Sequence, residues 1–245
     1  MIIGIDASRT IRSGKTGVER YATQMIEWFK KIDTKNEYIL YTPEIRGEVF
    51  SDLPSNFTVR AMRFPFAWTQ IRLAFELIFA RKKPNITFFP SHNAPYLHFR
   101  PVVVTVMDLA FKKFPESYSF FFRHYLNFST WWTVKTGKHI IAISETTKQD
   151  LAYYYGADPK KITVTYLGFD VSEHHIAREE AESIARKFGI KKNYILYIGR
   201  LETKKNIVNL VKAFHRLLAS GEDIQLVLVG KQGLGWSAIE RVIRD

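Results

Sequence analysis

Along the first two thirds of the chain, short apolar runs alternate with stretches in which apolar residues recur every three or four positions. The short runs are Ile2–Ile5, Tyr38–Tyr41, Thr58–Met62, Ile86–Phe89, Val102–Val106, Ile140–Ile143 and Ile162–Tyr166, and their length and composition are those of strands. The periodic stretches Val18–Lys31, Thr69–Arg81, Tyr118–Lys135 and Glu145–Tyr155 read as helices. This alternation predicts an α/β fold over residues 1–168, a doubly wound, mostly parallel sheet with helices on both faces. Gly168, Phe169 and Asp170 then open a polar stretch, 169–190, expected to be a linker ending in a short helix. Two more strands, Tyr194–Ile198 and Ile224–Val229, start a second α/β unit over 191–245, with a last helix beginning near Trp236. Two strands cannot form a covered parallel sheet, so this unit is expected to be incomplete.

The densest chemistry lies in YILYIGRLETKKNIVNLVKAFHRLL, from Tyr194 to Leu218. An apolar run expected to be a buried strand ends at Gly199 and Arg200, Lys204 and Lys205 follow, and Ile207, Leu210, Val211, Phe214, Leu217 and Leu218 mark one helix face. Arg200 and Lys205 thereby fall beside a helix N-terminus, where unpaired N–H groups and the macrodipole favour an anion such as a diphosphate. An ordinary β–α turn with surface cations would carry the same residues, and the pattern by itself leaves both readings open.

This segment resembles the opening strand and helix of the donor-binding domain in family 4 retaining glycosyltransferases, which have the GT-B fold. Gly199, Arg200, Leu201, Lys205 and Asn206 match the pattern G-R-L-x-x-x-K-N. The resemblance implies that residues 1–168 are an N-terminal, acceptor-side Rossmann-like domain and that 191–245 begin a second Rossmann-like, donor-binding domain. It also implies that Arg200 and Lys205 hold the diphosphate of a nucleotide sugar. The family's E-x7-E carboxylates, which the resemblance places in the donor-binding domain, do not occur in residues 191–245. The chain is therefore expected to be either a fragment, short by roughly a hundred residues at ordinary domain size, or a non-catalytic membrane- or glycan-binding remnant.

Several N-terminal segments resemble the same family. In Thr16–Tyr21 the resemblance gives Gly17 the task of letting backbone approach the donor phosphates, although a turn before a helix explains a glycine equally well. A P-loop reading of Gly14–Lys15–Thr16 fails, because the glycine it needs five residues before Gly14 is Arg9. Val102–Leu109 is similar to a strand that in relatives commonly ends His-Asp-Leu, with Met107 in the histidine's place. An apolar Met107 near the donor's C6 would favour a 6-deoxy sugar; a core filler at a strand end is the other reading. Asp108 is the catalytic candidate, to orient a hydroxyl or move a proton, or else a cap for the next turn. His92, in Ser91–Pro95, falls in what resembles a cleft-lining loop and is a candidate for sugar or acceptor contact. Ser144 reads as an N-cap, and Lys148 faces either the cleft or solvent.

Composition narrows the chemistry further. The chain has no cysteine and no D-x-D pair, and His174 and His175 lie together in the linker without nearby partners. No metal and no cofactor is expected; in the GT-B strategy that the resemblance implies, cations and helix dipoles take the metal's place. The start MIIGIDASRT predicts no signal peptide, and Phe64–Ala80 is broken by Arg72 and Glu76, so it predicts no membrane span. Residues 60–138 carry 12 Lys and Arg against only Glu76, Asp108 and Glu116. No nucleic-acid recognition motif accompanies that basic block.

Within the block, Ser117–Lys138 is dense in aromatics and free of acids, with Phe121, Tyr125, Phe128 and Trp132 on one helix face. That face suits a core. With Phe120, Phe122, Trp131, Arg123, Lys135 and Lys138 it also suits the headgroup region of an anionic membrane. The expected protein is a retaining transferase that moves a sugar from a nucleotide-diphosphate donor to a glycan or lipid-linked acceptor. Its expected place is the cytoplasm, peripheral at the inner face of the membrane.

Overall fold

The seven apolar runs of residues 1–168 lie side by side in parallel. A strand buried on both faces must pair its backbone groups with neighbours, and a sheet is the arrangement that does so. The computed structural model describes residues 1–11, 16–92, 94–169, 176–191 and 193–244. Gly14, Lys15, Asn93, Asp170 and the His174–His175 pair, all invoked from sequence, lie outside the described residues. The strands are β1 (Ile2–Asp6), β2 (Glu37–Thr42), β3 (Phe57–Ala61), β4 (Ile86–Phe89), β5 (Val102–Val106), β6 (His139–Ala142) and β7 (Ile162–Val164). Their order is β3-β2-β1-β4-β5-β6-β7, every pair parallel.

Alternate residues of a strand feed opposite faces. Ile39, Tyr41 and Phe89 pack with Leu73 and Leu77 on one side, while Tyr38, Leu40 and Phe88 pack with Ile26 on the other. Helix α1 (Gly17–Ile32) thus covers one face and α2 (Ala74–Phe79) the opposite one, the doubly wound arrangement expected. Three further helices follow, α3 (Ala110–Lys113), α4 (Phe120–Thr136) and α5 (Glu145–Tyr155). Ser144 caps α5, its hydroxyl accepting the Thr147 N–H at 3.1 Å, and Lys148 is half-buried.

The differences from the sequence pattern have local causes. The helix expected over Thr69–Arg81 enters as a π-turn, Thr69–Leu73, before α2 begins. Ala67 takes a positive φ there, and the Trp68 indole donates to the Met62 carbonyl at 2.7 Å, which sets the entry. Strand β7 stops at Val164 because β6 ends opposite it at Ala142. The short α3 was not foreseen.

A second, smaller sheet pairs β8 (Tyr194–Ile198) with β9 (Gln225–Val229) in parallel, and β8 is mostly exposed rather than buried as its apolar run predicted, because a sheet of two strands covers little of it. Helix α6 (Arg178–Lys187) precedes it as the short helix expected, and α7 (Ile207–Ala219) and α8 (Trp236–Arg244) follow its strands. Ile207, Val211 and Ile239 pack with Leu201 as the core of this part. By contacts, Met1–Lys113 and Phe120–Gly168 form one compact unit, and Phe114–Ser119 and Phe169–Asp245 form the other. Among the described residues no helix is long and apolar enough to cross a membrane.

Candidate functional site

Open parallel sheets take ligands beyond the carboxyl ends of their strands, where the strand order reverses. Here the reversal lies between β1 and β4, since β1 leads to β2 on one side and neighbours β4 on the other. The chain leaving β1 carries Asp6 to Thr10, the chain leaving β4 carries Ser91 and His92, and β5, next to β4, ends at Met107 and Asp108. Three residues singled out from sequence, His92, Met107 and Asp108, are therefore brought together.

Their bonds define what each can do. His92 Nε2 is 2.9 Å from the backbone carbonyl of Asp108. A carbonyl only accepts, so Nε2 carries the proton and Nδ1 is an acceptor with no hydrogen-bond partner among the described residues. Burial holds the His92 pKa below its ordinary value, against the opposing pull of the Asp108 carbonyl and carboxylate, so the ring is neutral at neutral pH. Asp108 is exposed, and its Oδ1 accepts the Ala110 N–H at 2.9 Å where α3 opens. The capping role is thus filled by one oxygen, while Oδ2 has no hydrogen-bond partner among the described residues. Met107 is 8% exposed and its carbonyl accepts the Thr147 hydroxyl at 3.2 Å. It packs a strand end and presents little apolar surface to a sugar, so the 6-deoxy preference loses most of its physical basis.

The sequence pattern missed the groups around these three. Asp6 is buried at the end of β1, its Oδ1 accepting the Ser8 N–H at 2.9 Å and its Oδ2 facing the Thr69 hydroxyl at 3.3 Å. The Arg9 charge acts on Asp6, Glu19, His92 and Tyr125, groups that come from four different elements. Gln70 donates to the Ala94 carbonyl at 3.0 Å and accepts the Tyr96 N–H at 2.9 Å, pinning the loop that follows His92. A signal for Asp6 was present, since an apolar run closing on a carboxylate, IIGID, marks a strand end with a charge at its rim.

Burial raises the Asp6 pKa above 3.8, opposed by the hydrogen bonds from Ser8, the charge of Arg9 and the hydroxyl of Thr69. A carboxyl whose folded pKa is raised subtracts from stability at neutral pH, and the loss vanishes below pH 3.8, where folded and unfolded forms are both protonated. Asp6→Asn should therefore raise Tm at pH 7, by a margin that narrows as the pH falls toward 4. Melting curves of both proteins across that range test it, and a constant gap would mean that the buried charge is not its source.

Gly17 opens α1. The Thr16 amide and hydroxyl both donate to the Glu19 carboxylate; burial raises the Glu19 pKa, but these bonds outweigh it and the net shift is downward. A Cβ on Gly17 would meet nothing within 4 Å, so no neighbouring protein atom demands a glycine there.

In the second unit the turn between β8 and α7 places Arg200 and Lys205. Thr203–Lys205 form one 3-10 turn, Asn206 takes a left-handed φ of 56°, and α7 starts without a side-chain cap. Its first N–H groups have no side-chain partner among the described residues. The adjacent lysines differ in their commitments. Lys204 Nζ lies 3.8 Å from the Glu202 carboxylate and 5.5 Å from the centre of the Tyr118 ring, whereas Lys205 has no ion pair among the described residues. Arg200 Nε is 3.4 Å from Glu202 Oε2, and the Arg200 side chain is mostly exposed.

A second loop, GKQGLG at Gly230–Gly235, lies against this turn. The Leu201 N–H donates to Lys231, the Gly233 N–H to Leu201 and the Thr203 N–H to Leu234, each at 2.9 Å. A Cβ on Gly230 would fall 1.7 Å from the Gly199 carbonyl oxygen. Gly235, at φ +83°, would bring a Cβ within 1.9 Å of the Thr203 hydroxyl. The loop adds the exposed Lys231 to the same end of the small sheet. Sequence reasoning passed over it, although three glycines in six residues after a strand were visible. Among the described residues no group of three or more His, Asp or Glu could hold a metal ion.

Residues 15–173 match the profile of Glycosyltransferase Family 4, and residues 180–239 match that of Glycosyl transferases group 1. The chain is 25% identical over 220 residues to the O-antigen chain mannosyltransferase RfbU of Salmonella typhimurium, covering 85% of this chain and 57% of that protein. It is 32% identical over 92 residues to an N-acetylgalactosaminyltransferase of Campylobacter jejuni named for an N-acetylgalactosamine-N,N'-diacetylbacillosaminyl-diphospho-undecaprenol, covering 38% of this chain and 23% of that one. Among solved structures, Anabaena HepE in complex with UDP-glucose superposes with a TM-score of 0.66 at 16% identity, over 99% of this chain and 64% of that one. The chain thus spans less than two thirds of the length of each of these relatives.

Proposed function

The chain belongs to glycosyltransferase family 4, and from that premise we propose that it serves the transfer of a sugar, with retention, from a nucleotide-diphosphate donor to a lipid-linked glycan. The observation that carries the donor half is the start of α7. Arg200 and Lys205 flank a helix N-terminus that has no side-chain cap, while Lys204 is already committed to Glu202 and Tyr118. Two cations and open N–H groups are what a departing diphosphate requires, because its charge grows as the glycosidic bond breaks. In this scheme they do the work that a metal does elsewhere, and no cofactor is needed. Gly17, with free space where a side chain would stand, is proposed to admit a donor phosphate to the start of α1.

The acceptor half falls to the carboxyl ends of β1, β4 and β5. Asp108 offers its unpaired Oδ2 to an acceptor hydroxyl, neutral His92 offers Nδ1, and Asp6 and Arg9 lie beside them. A hydroxyl-rich ligand suits this mixture of donors and acceptors. The Campylobacter relative is named for a diphospho-undecaprenol acceptor and the Salmonella relative for an O-antigen chain, which supports a lipid-linked acceptor met at the inner face of a membrane.

Calorimetric titration of the chain with UDP and GDP, against uridine and guanosine, tests the donor half. The diphosphates should bind and the nucleosides should bind far more weakly. Gly17→Ala should raise stability by about 0.4–1 kcal/mol through reduced freedom of the unfolded chain while weakening diphosphate binding. Equal affinity for nucleoside and diphosphate would overturn the assignment.

A further inference from the structure

Helix α4 is built inside out. Its buried residues are Ser129, Thr130 and Thr133, while Phe120, Phe121, Phe128 and Trp131 are exposed. At 100° per residue these four fall within one arc of about 100° on the helix, together with His124 and Lys135. Phe121 is 85% exposed and Trp131 40%. Ser129 ties this face inward, its Oγ donating to the His92 carbonyl at 3.0 Å. The outward aromatics are therefore not a core face turned by accident. A water-facing helix gains nothing from four large aromatic side chains, and contiguous exposed apolar surface of this kind marks a contact.

The patch continues past the helix. His98 Nε2 meets the Thr136 hydroxyl at 3.1 Å, which ties the loop over residues 97–100 to the end of α4. That loop exposes Leu97 and, at 82%, Phe99. Cations accompany the rings throughout. The Arg123 guanidinium lies 5.9 Å from the centre of the Phe120 ring, Lys135 shares the aromatic arc, and Arg100 and Lys138 follow in the loop and beyond the helix. Residues 117–138 contain no Asp or Glu.

We propose that this face, α4 with the loop at 97–100, docks on an anionic lipid surface. Charge complementarity selects the occupant. Aromatic rings interleaved with cations, with no carboxylate among them, fit the headgroup layer, where rings sit at the boundary and Lys and Arg meet phosphates. A protein partner would instead tend to find its charges at the rim of an apolar centre. The proposal names the membrane partner of the lipid-linked acceptor reading and rests on that reading for its purpose, while the surface itself rests on exposure and charge.

Flotation of the chain with vesicles of phosphatidylcholine, with and without phosphatidylglycerol, tests it. Binding should rise with the anionic fraction and fall severalfold between low and high salt, as screened surface attraction requires. A variant carrying Phe121→Ser, Phe128→Ser and Trp131→Ser should lose at least about tenfold in partitioning, with an unchanged far-ultraviolet circular dichroism spectrum. Lys135→Glu with Lys138→Glu, which keeps every aromatic, should lose the preference for anionic vesicles. Brominated lipid should quench the wild-type chain and quench Trp131→Phe much less. Equal binding to neutral and anionic vesicles, or full binding by the serine variant, overturns the docking face, including the case in which that face is covered by protein. UDP titration of the same samples separates the two proposals. Vesicle binding without nucleotide binding removes the donor reading alone, and the reverse removes the docking face alone.

Discussion

Replacing Arg200 or Lys205 with alanine is expected to weaken UDP or GDP binding by one to two orders of magnitude. Each side chain would supply a charge-assisted contact to the diphosphate, and hydrogen bonds to charged groups are worth about 1.5–3 kcal/mol. Lys205 has no ion pair among the described residues, so its loss strips nothing from the fold, whereas Arg200→Ala takes from the buried Glu202 the nearer of its two cations and leaves it Lys204, so melting curves accompany that titration. Lys204→Ala is the informative control. That side chain already serves Glu202 and Tyr118, so its loss should lower stability slightly and affinity only a few-fold. Calorimetry on the three variants decides the matter. Unchanged affinity in both Arg200→Ala and Lys205→Ala would remove the diphosphate from this turn.

Gly230→Ala should be the most damaging single methyl group in the second unit. The new Cβ would stand 1.7 Å from the Gly199 carbonyl oxygen and 2.7 Å from its carbon, both backbone atoms that cannot swing aside. Relief requires the ends of β8 and β9 to part, at the cost of the bonds from Gly199 to Val229 and from Leu201 to Lys231. Overpacking of this kind costs about 1–3 kcal/mol and more where backbone must move. Amide hydrogen exchange should rise sharply across Tyr194–Ile198 and Gln225–Val229, and diphosphate binding should fall with it. Gly168→Ala, with nothing within 4 Å of the new methyl group, should leave exchange in both strands unchanged. Protection of β8 and β9 that survived Gly230→Ala would show that the two loops are not held together as tightly as their bonds indicate.

Much of the fold was legible in the chain because its determinants are local. Ile86–Phe89, Val102–Val106 and Tyr194–Ile198 are strands of the expected extent, and Glu145–Tyr155 is a helix set by Ser144 at one end and by Gly156, in the left-handed conformation, at the other. Apolar period, caps and breakers are properties of a few consecutive residues, so no distant partner is needed to read them. The break at Thr69–Leu73 escaped that method, because it depends on the Trp68 indole reaching back to Met62.

The candidate site divides along the same line. The cations at 200 and 205, the glycine before them and the Met107–Asp108 strand end are written in sequence. The choice between Lys204 and Lys205 was not, since it turns on Glu202 and Tyr118, the latter more than eighty residues away. Nor was the meeting of Asp6, Arg9 and His92, which belong to strands made neighbours only by the β1–β4 crossing. Helix α4 shows the limit most clearly. Its periodicity announced an aromatic face, but periodicity carries no sign for inside or outside. The packing of Ser129, Thr130 and Thr133 against the domain leaves Phe121 and Phe128 of that face exposed, beside Phe120 and Trp131, while Tyr125 and Trp132 are half-buried. Sequence by itself determined which residues share a strand, a turn or a helix face, because those relations are set by neighbours along the chain; tertiary structure alone decided what each face meets, because burial is a relation between segments that the chain brings together from afar.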